Sequence, residues 1–211
     1  MLLSAFTMTS ILLADALCLW LMLSQPTGEP FAGFLLLILF HITICIIATR
    51  LLMIFFPIIE GEFSIGSTEV ARWQAQAVVA LMSSIYFYPM IPFFLKPFWY
   101  RLFGAKIGKS VNISGQILDS SLTVMKTGSG VGADAMILGH LVTGGKVKIR
   151  TVVVEEHAMV GAKSLVLPGV SIGARSTVGA MSLVPSGKSI PANEAWVGVP
   201  AKKLEKPSSL L

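Results

Sequence analysis

Three histidines and two cysteines are the side chains of this 211-residue chain best suited to proton transfer, nucleophilic attack or metal ligation. An imidazole changes charge near neutral pH, which makes histidine the first candidate for general acid–base work. His140 is singled out by position: it follows Gly139 in ILGHLVTGGKVKI, where a six-residue repeat changes frame. A solenoid that breaks register at one place is often making room for a site. His157, in VEEHAMVG, falls at a repeat corner where glycine is common and reads as a surface or cleft-lining residue. His41 lies in an apolar segment remote from the repeat. A zinc site built from three histidines at subunit edges, as in γ-type carbonic anhydrases, fails on count, because only His140 and His157 lie in the second half. Cys18 and Cys45 both sit in apolar segments, leaving neither a disulfide framework nor a Cys-x-x-Cys metal site, and read as packing or lipid-facing residues.

The elements that would hold His140 are legible as a period. From Val154 an aliphatic or aromatic residue returns every six positions: Val154, Val160, Val166, Ile172, Val178, Val184, Ile190 and Trp196. Small residues recur four positions after several of these anchors, at Ala158, Ser164, Ser176 and Ser182. This is the pattern of a parallel β-helix in which one hexad makes one flat face and three complete a triangular coil, the anchors pointing inward and the small residues turning the corners. No single coil buries its own core, so the stack is stable only collectively. The hexad pattern is also one of the few that reports left-handed crossovers. An earlier section keeps the period in another frame, at Ile107, Ile113, Met125, Val131 and Ile137, with Asp119 breaking the series. An irregular turn within GHLVTGGKVKIRTV must absorb the shift. The flat faces predict packing into a homotrimer with clefts between subunits, and SIPANEAWVGVPAKKLEKPSSLL loses the hexad after Trp196 and caps the last coil.

The first half requires a different solvent. With 54% hydrophobic residues, 13% charged residues and a mean hydropathy of +0.78, the chain is too apolar for an ordinary soluble domain of its size. Leu2–Leu23 and Phe31–Ile59 are apolar runs long enough to cross a hydrocarbon core, separated by SQPTGEP. They predict a transmembrane hairpin; a cleaved signal peptide would need a basic n-region and a small-residue cleavage site, and neither is visible. The stretch from Ser67 to Gly104, broken by Pro89, Pro92 and Pro97, carries Arg72 and Trp73 at one end and Lys96, Trp99, Tyr100 and Arg101 at the other, which suits an interfacial helical segment; the alternative, a third span, would place the large domain on the other side. The net charge of +5 is scattered without a nucleic-acid-binding motif, so nucleic acid is not an expected partner. Arg72, Lys96, Arg101, Lys106 and Lys109 instead mark a side facing anionic lipid, which places the amino terminus and the large domain in the cytoplasm of a bacterial-type inner membrane. Asp15 and Arg50 are costly in hydrocarbon; either they pair, or Arg50 snorkels to head groups while Asp15 is satisfied locally. The expected organisation is therefore a hairpin over 1–60, an interfacial segment over 61–104, a β-helix over 105–198 and a cap and tail over 199–211.

From about Ile107 to Lys203, the motifs HAMVGAKSLVLPGVSIGARSTVGAMSLV and GVPAKK resemble the hexapeptide-repeat acyltransferase superfamily, which includes the maltose, galactoside and xenobiotic acetyltransferases. Over nearly the whole chain, GEFSIGSTEVARWQ, PFWYRLFGAKIG and ILGHLVTGG resemble one unit of the carboxy-terminal domains of poly-lysine-synthase-type nonribosomal peptide synthetases, where a transmembrane pair and a β-helix recur three times. The resemblance implies a membrane-anchored, homotrimeric, left-handed β-helix acyltransferase without a metal, with His140 as general base toward an acceptor hydroxyl or amine. It implies acetyl-CoA or another acyl-CoA as donor, its pantetheine arm against Ala162 and Ala180 and its phosphates near Lys202 and Lys203. The synthetase likeness implies instead an acyl or aminoacyl thioester on a carrier protein, supplied by a partner synthetase. The membrane segments point to a small-molecule or lipid-linked acceptor delivered at the bilayer. A non-catalytic trimeric scaffold is the alternative from a different class.

Overall fold

The computed structural model describes residues 2–23, 30–87 and 91–205. The chain forms two compact units, one from Met1–Ile59 with Phe63–Ile91 and the other from Glu60–Glu62 with Pro92–Leu211.

The first unit consists of α1 (Leu2–Leu23), α2 (Pro30–Phe55) and α3 (Thr68–Phe87). α1 covers the first apolar run and α2 the second up to Phe55, four residues short of Ile59; among the described residues one segment, Leu35–Phe55, is long and apolar enough to cross a membrane, where two were expected. The Ser67 hydroxyl oxygen accepts the Val70 N–H and caps the start of α3. Rather than standing apart from the hairpin, α3 packs on both α1 and α2 and buries Val70, Trp73, Gln76, Val79 and Ser83. Leu13, Leu17, Trp20, Leu36, Ile54 and Phe55 are exposed on this unit, while its interior holds the polar His41, Thr49, Gln76 and Ser83 beside apolar Ile11, Leu52, Val70, Ala75 and Val79. His41 joins the three helices, its Nδ1 lying 2.5 Å from Asp15 Oδ2 and its Nε2–H donating to the Met82 carbonyl at 2.9 Å. Asp15 thus pairs with His41. Arg50 lies nine positions further along α2, about 13 Å at the helical rise.

The second unit is a parallel β-helix of three faces. One stacks Lys106–Ile107, Thr123–Met125, Val152–Val154, Ser171–Ile172 and Ser189–Ile190; the next stacks Asn112–Ile113, Gly130–Val131, Met159–Val160, Thr177–Val178 and Ala195–Val197; the third stacks Gln116–Ile117, Met136–Ile137, Leu165–Val166 and Leu183–Val184. Every hexad anchor from Val154 to Ile190 is buried, and Val154↔Ile172↔Ile190 and Val160↔Val178↔Trp196 lie in register. The small corner residues also tie the coils together: Ser164 Oγ donates to the Gly179 carbonyl at 2.8 Å and accepts the Ser182 N–H at 3.2 Å, and Ser182 Oγ accepts the Gly198 N–H at 3.0 Å. Three positions past the anchors the backbone turns into the left-handed region, even at the non-glycine residues His157, Lys163, Arg175, Met181 and Asn193. His157 is accordingly an exposed corner residue.

Helix α4 (Lys96–Leu102) covers the edge of the first coil. Tyr100 Oη accepts the Ile117 N–H, Arg101 donates to the carbonyls of Ile107 and Gly108, and Lys96 Nζ donates to the Ser114 carbonyl at 3.1 Å. Two of the cations that the sequence assigns to lipid head groups thus satisfy backbone groups an open solenoid end would leave bare. Burial lowers the pKa of the Lys96 ammonium. At the other end, Lys202–Lys203 pairs antiparallel with Ala195–Val197, the expected cap.

Close stacking makes some corner glycines obligatory. A Cβ at Gly161 would lie 2.5 Å from the Ala180 nitrogen and 2.7 Å from the Val178 carbonyl oxygen, both backbone atoms. Gly161→Ala should therefore destabilise the β-helix by about 1–3 kcal/mol, an overpacking cost. A thermal melt of the variant that superimposes on the parent's would contradict that packing.

Candidate active site

Asp119 and His140 meet because the repeat is irregular at both residues. On the third face of the first coil the inward residue is Ile117, which pairs with Ile137, and the single turn Ser120–Leu122 makes up the remaining length. This early arrival leaves Asp119 outside the inward column. Its carbonyl accepts the Thr123 hydroxyl at 3.0 Å and the Leu122 N–H at 3.1 Å, which fixes the backbone around it. One coil later the chain leaves the stack after Leu138, forms an antiparallel hairpin from His140–Thr143 and Lys146–Ile149, and returns through Arg150, whose N–H donates to the Gly139 carbonyl at 2.9 Å. The hairpin absorbs the frame change: Met125, Val131 and Ile137 pair with Val154, Val160 and Val166 with register intact.

The carboxylate of Asp119 is 3% exposed and reaches His140 at the first residue of the hairpin. Its Oδ2 accepts the Gly139 N–H at 2.8 Å and the His140 Nδ1–H at 2.7 Å. Gly139 permits this approach, since a Cβ there would lie 2.6 Å from Leu122 Cβ and 3.0 Å from Asp119 Cβ. A carboxylate on Nδ1 fixes the ring tautomer, makes Nε2 the nitrogen that takes a proton, and stabilises the imidazolium that results. The imidazole remains 22% exposed, so it is held without being sealed inside the core.

Asp119 is the residue that sequence reasoning did not assign to the site. Its signal was present, as the one position where the earlier hexad series fails.

Ala162 and Ala180 stand at successive levels of one corner, where the Met181 N–H donates to the Ala162 carbonyl at 2.8 Å. That corner precedes the strands of the third face, and His140 follows a strand of the same face, so the positions bracket one face without being brought together. Lys202 and Lys203 are exposed in the capping strand. Lys203 Nζ is held 2.6 Å from Glu194 Oε1, and its hydrogen bond, with a second from the Trp196 indole, holds the Glu194 carboxyl below its usual range. Its charge is thus already matched.

No protein-family model matches the chain, and comparison with curated protein sequences finds no match. Among solved structures, a hexapeptide-repeat-containing acetyltransferase from Vibrio cholerae is similar at 22% identity and a TM-score of 0.45, over 48% of this chain and 62% of that one. A GDP-perosamine N-acetyltransferase from Caulobacter crescentus, in complex with CoA and GDP-perosamine, is similar at 27% identity and a TM-score of 0.39, over 47% of this chain and 41% of that one. A galactoside acetyltransferase in complex with coenzyme A is similar at 22% identity and a TM-score of 0.40, over 47% of this chain and 54% of that one. This chain spans about six-tenths of the Vibrio cholerae enzyme and about half or less of the other two.

Proposed function

We propose that this chain is an acyltransferase that moves an acyl group from a phosphopantetheine thioester to an acceptor hydroxyl or amine, with His140 as general base and Asp119 positioning it. The observation that carries the reading is the 2.7 Å contact between Asp119 Oδ2 and His140 Nδ1, at the point where the chain leaves the stack. In the reaction His140 Nε2 takes the acceptor proton as the acceptor oxygen or nitrogen attacks the thioester carbonyl carbon. The tetrahedral adduct collapses, the C–S bond breaks, and the imidazolium returns the proton to the departing sulfur. A thioester is already activated, so one held base with backbone N–H donors on the developing oxyanion is sufficient machinery.

The left hand of the coil and the homotrimer belong to the same proposal. Exposed Met159 and Met181 on the β-helix suit subunit contact. Ala162, Ala180, Lys202 and Lys203 are the proposed donor contacts, with Lys202 the better candidate for a phosphate because Lys203 is tied to Glu194. The proposed donor is acetyl-CoA or another acyl-CoA. A carrier-protein thioester rests on the peptide-synthetase resemblance, carried by sequence motifs. We further propose that the helical unit lies in lipid, supported by its many exposed large apolar side chains and by the polar His41, Thr49, Gln76 and Ser83 held inside, away from that surface. A chain anchored in this way suits a lipid-linked or amphipathic acceptor.

The test is to incubate purified full-length protein with radiolabelled acetyl-CoA and, separately, with an acyl-charged carrier protein, against small amines, alcohols and membrane lipid extracts. Acceptor-dependent thiol release from one donor is the expected result. Consumption of neither thioester would remove the enzymatic reading and leave the trimeric scaffold.

A further inference from the structure

The hairpin that carries His140 is short. Its strands have four residues each, its turn is Gly144–Gly145, and Val142 near the tip is 54% exposed. A two-stranded hairpin of this size is marginally stable in water; a third strand or other packing is needed for it to hold a fixed geometry. The third strand comes from far upstream. Strand Gly61–Ser64 borders Lys146–Ile149 in a three-stranded sheet, and its leading residues belong to the β-helix unit. Thr151, just beyond the hairpin, donates its hydroxyl to Glu60 Oε1 at 2.6 Å, and Lys148, which pairs across the hairpin with Leu141, lies 3.4 Å from Glu62. Both attachments sit close to the His140↔Ile149 pair.

We infer that Glu60–Glu62 is a positioning strap for the site: by completing the sheet and bonding Thr151, it holds His140 against Asp119. None of the strap residues touches the reacting atoms. They act on the backbone from which the imidazole projects, and a misplacement of about 1 Å at a reacting group can change rate on the order of a hundredfold. The kinetic consequence rests on the acyl-transfer reading, whereas the mechanical one does not.

The experiment uses the full-length protein with Thr151→Val, Glu60→Ala, the double variant and Thr151→Ser, and reads two quantities. The first is amide hydrogen exchange over 140–149, which reports local opening. The second is thiol release from acetyl-CoA with the acceptor that the donor assay identifies. Thr151→Val and Glu60→Ala should each speed exchange in 140–149 by about three- to tenfold while exchange in the stacked strands is unchanged, as for loss of one solvent-exposed hydrogen bond. The double variant should match the singles, since both remove the same bond, and Thr151→Ser should restore parent behaviour. Turnover should fall with exchange, in kcat rather than in KM for acetyl-CoA. Parent-like exchange in both single variants overturns the strap, as does faster exchange with unchanged kcat. Glu60 lies outside the repeat, so its variant answers the question even if Thr151→Val disturbs the stack. If no thioester is ever consumed, the acyl-transfer reading fails while the exchange result still decides whether the strap rigidifies the hairpin.

Discussion

His140→Ala should lower kcat for acyl transfer by about 10²–10⁴, the range for removal of a positioned general base, and leave KM for the thioester donor nearly unchanged. The donor would be held by other residues, and the proton is removed only as the acceptor attacks, so the loss falls on the chemical step. Stability should change little. The paired backbone of His140 and Ile149 does not depend on the ring, and Asp119 keeps its bond from the Gly139 N–H. Steady-state kinetics beside a thermal melt checks both halves. Turnover within threefold of the parent would assign the imidazole a structural role and return the scaffold reading.

Asp119 supports the second large effect, and two substitutions separate its roles. Asp119→Asn retains an oxygen for the Gly139 N–H and changes the volume little, but it removes the negative charge that stabilises the imidazolium. Because one oxygen, Oδ2, accepts both the Gly139 N–H and the His140 Nδ1–H, an amide oxygen in its place keeps both bonds and the tautomer, so the loss comes from the missing charge. The expected loss is about 10²–10³ in kcat, about 2.7–4 kcal/mol of barrier, as for removal of one electrostatic stabiliser, with the melting temperature preserved. Asp119→Ala removes the acceptor as well. It leaves the Gly139 N–H without its partner beside a buried side chain, so it should also lower stability by about 1–3 kcal/mol. A full-rate Asp119→Asn enzyme, or an Asp119→Ala variant as stable as the parent, would contradict this geometry.

Much of the architecture was legible because the information is local. An inward column of Val154, Val160, Val166, Ile172, Val178, Val184 and Ile190 follows from a period of six, and each of these side chains is buried in its place. The apolar runs of α1 and α2 were legible for the same reason, as were the capping of the last coil after Trp196 and the irregular element at His140. Each is set by residues within one coil or one helix.

The tertiary structure decided which distant side chains meet. The period shows that Asp119 is out of series, but not that Ile117 takes its inward place and leaves the carboxylate free to reach an imidazole 21 residues on. Asp15 meets His41, 26 residues away, because helix packing sets the depth at which α1 and α2 face each other, and an apolar run alone does not specify that depth. Glu60 meets Thr151 across 91 residues for a related reason: strand pairing is non-local, and nothing near either residue names the other. Periodicity reports which way a side chain points, whereas a site requires two chain segments to arrive at one point in space. That depends on the cumulative geometry of everything between them.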